Sequence, residues 1–373
     1  MIYTFFRSTV SFIAVWLCIS SCASVKTEVA DIPQEDSQAI MYYRDGAEPG
    51  DNGMYVSRTL QDSIPVPVVS QTNSMFVDLS TSSNLHPSIS SDGLYISFHD
   101  ELGDKSKYAP YGHEQSFSIF DIKKNAVILN ATTIVSSGTS LTTPYSVPWS
   151  FFGHNFYTLA GDTIKKCTVE GKQSSLAVID HLINFSVSPS ERWLLFMQEE
   201  RVGFINLETN EVVLAKEFET IFGIVVKHWG RVISWSPDES KAAFAVGFRM
   251  TIVDLEKREN QGYKVSADVF AIEWITNDSF VYVQGFQPNA DSHLNDDPFF
   301  EIDSYSLTTK QTTMLHRRVH HEPSSVKPKV SPSGKLLLFS EKKVAGVYEV
   351  KLLPVSGGSI TTLCSGYNPV WGK

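Results

Sequence analysis

From about residue 38 to the end of the chain, apolar and polar residues alternate in short runs. Tyr95-Ile96-Ser97-Phe98, Trp193-Leu194-Leu195-Phe196, Ala242-Ala243-Phe244-Ala245-Val246 and Leu336-Leu337-Leu338-Phe339 are clear instances. Runs that alternate predict strands covered on one face, and continuous apolar runs predict strands covered on both. No stretch keeps a helical period over a useful length, which disfavours a fold of alternating strands and helices.

Each of these runs follows a turn of one kind. The turns read Ser90-Ser91-Asp92-Gly93, Ser188-Pro189-Ser190-Glu191, Ser236-Pro237-Asp238-Glu239 and Ser331-Pro332-Ser333-Gly334. Proline presets φ at the second turn position, Asp or Ser bonds the backbone, and glycine accepts a left-handed conformation at the end. Weaker copies lie at Ser146-Val147-Pro148-Trp149-Ser150 and Ala271-Ile272-Glu273-Trp274-Ile275. Third and fourth strands follow each second strand, for instance at Met250–Leu255 and Tyr263–Ser266, or Phe300–Leu307 and Gln311–Leu315. This makes six units of four strands.

The two ends complete a seventh. Tyr367–Trp371 reads as a first strand, while Ala39–Tyr43, Gly53–Arg58 and Val66–Val69 read as the three that follow it. First strands recur at Ile89, Trp149, Val187, Trp235, Trp274, Val330 and Trp371, with gaps of 60, 38, 48, 39, 56 and 41 residues. Four-stranded units at ~40–50-residue periods predict a β-propeller, and pairing of the terminal strands closes the ring. The expected fold is all-β, a seven-bladed propeller over residues 38–373, or six-bladed if Ser146–Ile179 is not a true blade.

The Ser-Pro-Asp-Gly type of turn, its flanking Trp or Val, and Arg44-Asp45-Gly46 resemble TolB-type propeller repeats. The resemblance covers about residues 38–373 and implies the architecture without implying a function. TolB itself adds an α/β domain, for which residues 23–37 are too short. The same repeats occur in relatives of prolyl oligopeptidase, but the glycine–any–serine–any–glycine elbow of their hydrolase domain is absent here.

Residues 1–21 have another character. Arg7 is their only charged side chain, and an apolar run, Val10–Ile19, precedes Ser20-Ser21-Cys22. The run is short for a ~30 Å hydrocarbon core and has the layout of a secretory signal. Ile19-Ser20-Ser21-Cys22 resembles the lipobox of bacterial lipoproteins. That resemblance implies cleavage before Cys22, lipid on its sulfur, and a tether over residues 22–37. Ala23 resembles the pattern for export to the outer membrane. The expected location is the cell envelope, at the periplasmic face of that membrane.

Composition changes this picture little. The 31 basic and 41 acidic residues leave a net charge of −10, which argues against nucleic acid as a partner. Four cysteines in 373 residues rule out a disulfide scaffold. Cys167 and Cys364 fall in different units and read as buried thiols.

Candidate chemistry is sparse. Polar residues expected on the first strands, and so along a central channel, include His86, Glu273, Lys327 and Lys329. They fit a solvated channel first, and a site for a small anion or a peptide end second. His316, His320 and His321 are expected in the connector between the fifth and sixth units, beside Glu322. Asp291, Asn295, Asp296 and Asp297 form an oxygen-rich insertion without the spacing of a calcium loop. Both groups read as exposed loops; no metal or cofactor is called for. A second insertion, Asp100–Gln115, carries Tyr108, Tyr111 and His113 and is the preferred contact for an envelope protein partner. The first expectation is therefore a membrane-anchored protein–protein interaction module rather than an enzyme. A lyase, a hydrolase or a small-ligand binding protein using the channel is the alternative.

Overall fold

The computed structural model describes residues 40–44, 53–57, 66–70, 88–90, 94–100, 112–136, 154–214, 231–286 and 297–371, with short breaks inside the longer stretches. All of them lie in one compact unit, Gln34–Lys373. Among the described residues the strands form seven antiparallel sheets. No helix among them is long and apolar enough to cross a membrane.

The first sheet holds Ser88–Ile89, Tyr95–Asp100, Gly112–Asp121 and Ala126–Ser136. The second holds three described strands, Asn155–Ala160, Thr163–Thr168 and Gln173–Val178. The third runs Leu182–Val187, Trp193–Gln198, Val202–Asn206 and Val212–Leu214. The fourth runs Arg231–Trp235, Lys241–Val246, Arg249–Asp254 and Glu259–Lys264. The fifth runs Asp268–Thr276, Ser279–Phe286, Phe299–Ser306 and Gln311–Val319. The sixth runs Lys329–Val330, Leu336–Lys342, Tyr348–Pro354 and Thr361–Ser365. In the seventh, Tyr367–Trp371 pairs with Ile40–Arg44, followed by Gly53–Ser57 and Val66–Ser70. The register there sets Ile40 against Trp371.

The turn chemistry repeats from sheet to sheet. The backbone N–H of Ser90, Ser188, Ser236 and Ser331 donates to the carbonyl five residues on, at 2.8–2.9 Å. The hydroxyl of the same serine accepts the N–H of that fifth residue, at 2.9–3.1 Å. One small side chain thus satisfies a backbone donor that the tight turn leaves over. The last turn position lies in the left-handed region, at Gly334 (φ 74°) as the sequence predicts, but also at Glu191 (φ 62°) and Glu239 (φ 58°). A non-glycine residue there costs about 1–2 kcal/mol. Both glutamates reach a neighbouring sheet, which offsets that strain. Glu239 accepts from the backbone N–H and hydroxyl of Ser190, and Glu191 accepts from Asn155 and Lys166.

Packing follows from period-two geometry. Ala242, Phe244 and Val246 pack towards Leu195, Met197 and Phe204 of the third sheet. The alternate residues Ala243 and Ala245 pack towards Val269, Ile272 and Tyr282 of the fifth. Both faces of the fourth sheet are therefore covered, which is why its second strand reads as a continuous apolar run. The second sheet packs on the third through Tyr157, Ile164 and Phe196, and the fifth on the sixth through Phe300, Ile302 and Phe339. Phe156, Cys167 and Ile119 join the first to the second.

Candidate functional site

Three groups of polar side chains carry charge inside or between the sheets. The first lies on the leading strands. Glu273 stands on Asp268–Thr276, and Lys329 begins the leading strand of the sixth sheet. Lys329 Nζ donates to Glu273 Oε2 at 3.3 Å, across the sheet boundary. Lys327 lies two residues earlier, and in an extended chain such residues project to the same side. Burial, and then the neighbouring charge of Lys329, brings the Lys327 ammonium down to about 8. The backbone here is fixed by Trp371, whose indole Nε1 donates to the Lys329 carbonyl at 3.0 Å. The arrangement combines a carboxylate with two amines, one of them easily deprotonated.

The second group is the buried Asp303 with Glu301 and Gln284. Gln284 Nε2 donates to Asp303 Oδ2 at 2.6 Å and to Glu301 Oε2 at 3.1 Å. Its carbonyl oxygen accepts from Ser266 Oγ at 2.8 Å and from the backbone N–H of Ser266 and Ala267. Burial, with the Glu301 charge adding to it, pushes the Asp303 carboxyl up to about 6. Glu301 is in turn paired with Arg317 at 3.0 Å.

The third group surrounds Glu341, 2% exposed at the end of the second strand of the sixth sheet. Arg318 Nε reaches it at 2.5 Å and Lys351 Nζ at 3.0 Å. His316 Nε2 and His321 Nε2 stand at 3.6 and 3.9 Å. Burial alone would raise the Glu341 carboxyl, but His316, Lys351 and Arg318 bring it down to about 2. His321 is held below its usual range, chiefly by burial.

These positions correct several expectations. His316 is on a strand rather than in a connector, because the fourth strand of the fifth sheet continues past Leu315 to Val319. His321 is buried rather than exposed. His320 is exposed as expected, 3.2 Å from Asp297. His113 lies on the strand Gly112–Asp121, opposite Val135, and not in a loop. Tyr108, Tyr111, His86, Cys22, Glu322, Asp291, Asn295 and Asp296 lie outside the described residues. Cys167 is buried and Cys364 half-buried, and both are free thiols. Among the described residues no three His, Cys, Asp or Glu side chains converge as metal ligands do.

Asp303 and Glu341 had no visible signal. Glu301-Ile302-Asp303-Ser304 looks like an ordinary alternating strand, and Glu341 like the polar end of an apolar one. Only the covering of both sheet faces makes these carboxylates buried.

No family model matches the chain, and no curated protein matches it by sequence. Solved structures do resemble it. One from Bacteroides fragilis NCTC 9343, described as a "putative 6-phosphogluconolactonase", is 15% identical with a TM-score of 0.52, covering 92% of this chain and 98% of that one. Another of the same description, from Bacteroides uniformis ATCC 8492, is 14% identical with a TM-score of 0.55, covering 91% and 97%. A chain of the mitotic checkpoint complex is 13% identical with a TM-score of 0.51, covering 80% of each. The expectation against an enzyme is corrected here, because two chains matched over nearly their whole length carry an enzyme's description. At these identities the likeness is one of fold: several small antiparallel sheets, as in propeller-type proteins.

Proposed function

We propose that the chain is a hydrolase of small anionic lactones or related esters, acting at the leading strands of a seven-bladed propeller. The observation that carries this reading is the Lys329–Glu273 pair across two leading strands, with Lys327 beside it. The Glu273 carboxylate takes a proton from water, and that water adds to the carbonyl carbon. Lys329 orients the carboxylate. Lys327 and Lys329 receive the substrate's anionic group and the charge that develops on the carbonyl oxygen. The ring C–O bond then breaks and its oxygen takes up the proton, leaving a hydroxy acid. The substrate class comes from the description of the Bacteroides structures.

Closure into seven blades is supported by the pairing of Ile40–Arg44 with Tyr367–Trp371. We place the protein in the envelope through lipid on Cys22, on the strength of Ile19-Ser20-Ser21-Cys22. Release of a Cys22→Ser variant from the membrane fraction tests the anchor.

The activity is tested with purified protein on 6-phosphogluconolactone and on an uncharged lactone, each against its spontaneous hydrolysis. We expect acceleration of the anionic substrate, lost in Glu273→Gln, and a raised KM in Lys327→Met. A folded protein that accelerates neither substrate overturns the reading.

A further inference from the structure

The outermost strand of the fifth sheet, Gln311–Val319, pairs among the described residues with Phe299–Ser306 on one side only. Its other edge presents backbone N–H and C=O groups, a template on which an extended chain can add as a further strand. Outer strands recur in every sheet, so the question is what distinguishes this one. Its nine residues exceed the six of Gln173–Val178, the six of Glu259–Lys264 and the five of Thr361–Ser365; among the described outer strands only Ala126–Ser136, at eleven, is longer. It also exposes two large apolar side chains, Met314 (58%) and Val319 (51%).

Charge supplies the third distinction. The chain as a whole carries −10, yet residues 308–321 contain Lys310, Arg317, Arg318 and three histidines and no carboxylate. The carboxylates that balance them lie underneath. Arg317 is 51% exposed over Glu301 at 13%, and Arg318 is 47% exposed over Glu341 at 2%. The ion pairs thus point their cationic ends outward. Arg317 also lies over the Phe299 ring at 5.2 Å, which holds its guanidinium in place.

We propose that this edge docks an extended acidic segment of a partner protein. Backbone pairing gives the attachment. Carboxylates on one face of the segment meet Arg318, and apolar residues at the alternate positions cover Met314 and Val319, which share the other face with Arg317. At ~3.3 Å per residue the strand offers about 30 Å, enough for a segment of similar length. The proposal does not depend on the hydrolase reading.

The test is fluorescence anisotropy with the full chain and a ten-residue peptide of alternating valine and glutamate. Two controls accompany it: the same peptide with lysine for glutamate, and one N-methylated at alternate residues. Binding of the acidic peptide, weakened at least tenfold by N-methylation and by 0.5 M salt, is the expected result. Val319→Glu alone, and Met314→Glu with Val319→Glu, should each weaken binding with the circular dichroism spectrum unchanged. Failure of the acidic peptide to bind, equal binding of the lysine peptide, or unaltered binding by the folded Val319→Glu variant overturns the proposal.

Discussion

The indole Nε1 of Trp274 donates to the carbonyl of Ser234 at 3.2 Å, from the leading strand of one sheet to that of the sheet before it. Trp235 does the same one sheet earlier, donating to Ser186 Oγ at 2.9 Å. Each ring is also wedged into the core, Trp274 against Phe280 at 5.3 Å and Trp235 against Phe204 at 6.3 Å. These residues therefore fasten neighbouring sheets by shape and by a directed bond. Trp274→Phe keeps most of the volume and loses the bond, and should cost about 1 kcal/mol. Trp274→Ala should cost about 3–5 kcal/mol, because it also leaves a cavity. Urea denaturation separates the two.

How far this fastening is legible in the sequence depends on the residue. The recurrence of Trp235, Trp274 and Trp371 after turn-spaced intervals marks the leading strands. Ser236 and Ser331 announce the turns, since their hydroxyls serve a local donor in the same way each time. What pairs across sheets is not legible. Glu239 bonding Ser190, or Asn277 accepting from the Asp238 N–H at 3.0 Å, joins residues about forty or more apart. No local pattern encodes such contacts. Strand ends are equally hidden: Gln311–Val319 outruns its predicted end because Glu341 and Glu301 pair with its polar residues from below.

Gly285 offers a backbone test of the fifth sheet. A Cβ at this position would lie 2.2 Å from the Phe299 carbonyl oxygen and 2.8 Å from Pro323 Cβ. The nearest obstacle is main chain in a paired strand and has nowhere to go. Gly285→Ala should destabilise the protein by more than about 2 kcal/mol, read as a fall in melting temperature. Gly262→Ala, with open space around it, should lie within about 0.5 kcal/mol of the parent.

Asp303 makes stability depend on pH in a defined direction. Its carboxyl is raised in the folded state to about 6 from an ordinary 3.8. The folded protein therefore binds the proton more tightly than the unfolded chain does. The stabilisation is full below about pH 4 and is lost as pH rises through 6. Asp303→Asn keeps the shape and cannot ionise. Its melting temperature relative to the parent should climb between pH 4 and pH 7. At ~1.4 kcal/mol per pH unit, the gain reaches at most about 3 kcal/mol. A difference that stays constant over that range would show that Asp303 titrates normally.

Glu341 runs in the opposite direction. Its carboxyl is lowered to about 2 by His316, Lys351 and Arg318. The stability it brings is present above its ordinary value near 4.5 and is lost as pH falls towards 2. Glu341→Gln removes the charge and leaves Lys351, 12% exposed, with the more distant Glu349 carboxylate at 3.7 Å in place of the one at 3.0 Å. The cost should be about 3–5 kcal/mol at pH 7, because Lys351 and Arg318 both lose the buried carboxylate they share. Replacing both Glu341 and Lys351, by Gln and Met, should recover part of that loss, since neither charge is then buried alone. The recovery, measured as a double-mutant cycle in urea, separates an electrostatic role from simple packing. If the double variant is no more stable than Glu341→Gln, the cluster is held by shape and not by this pair.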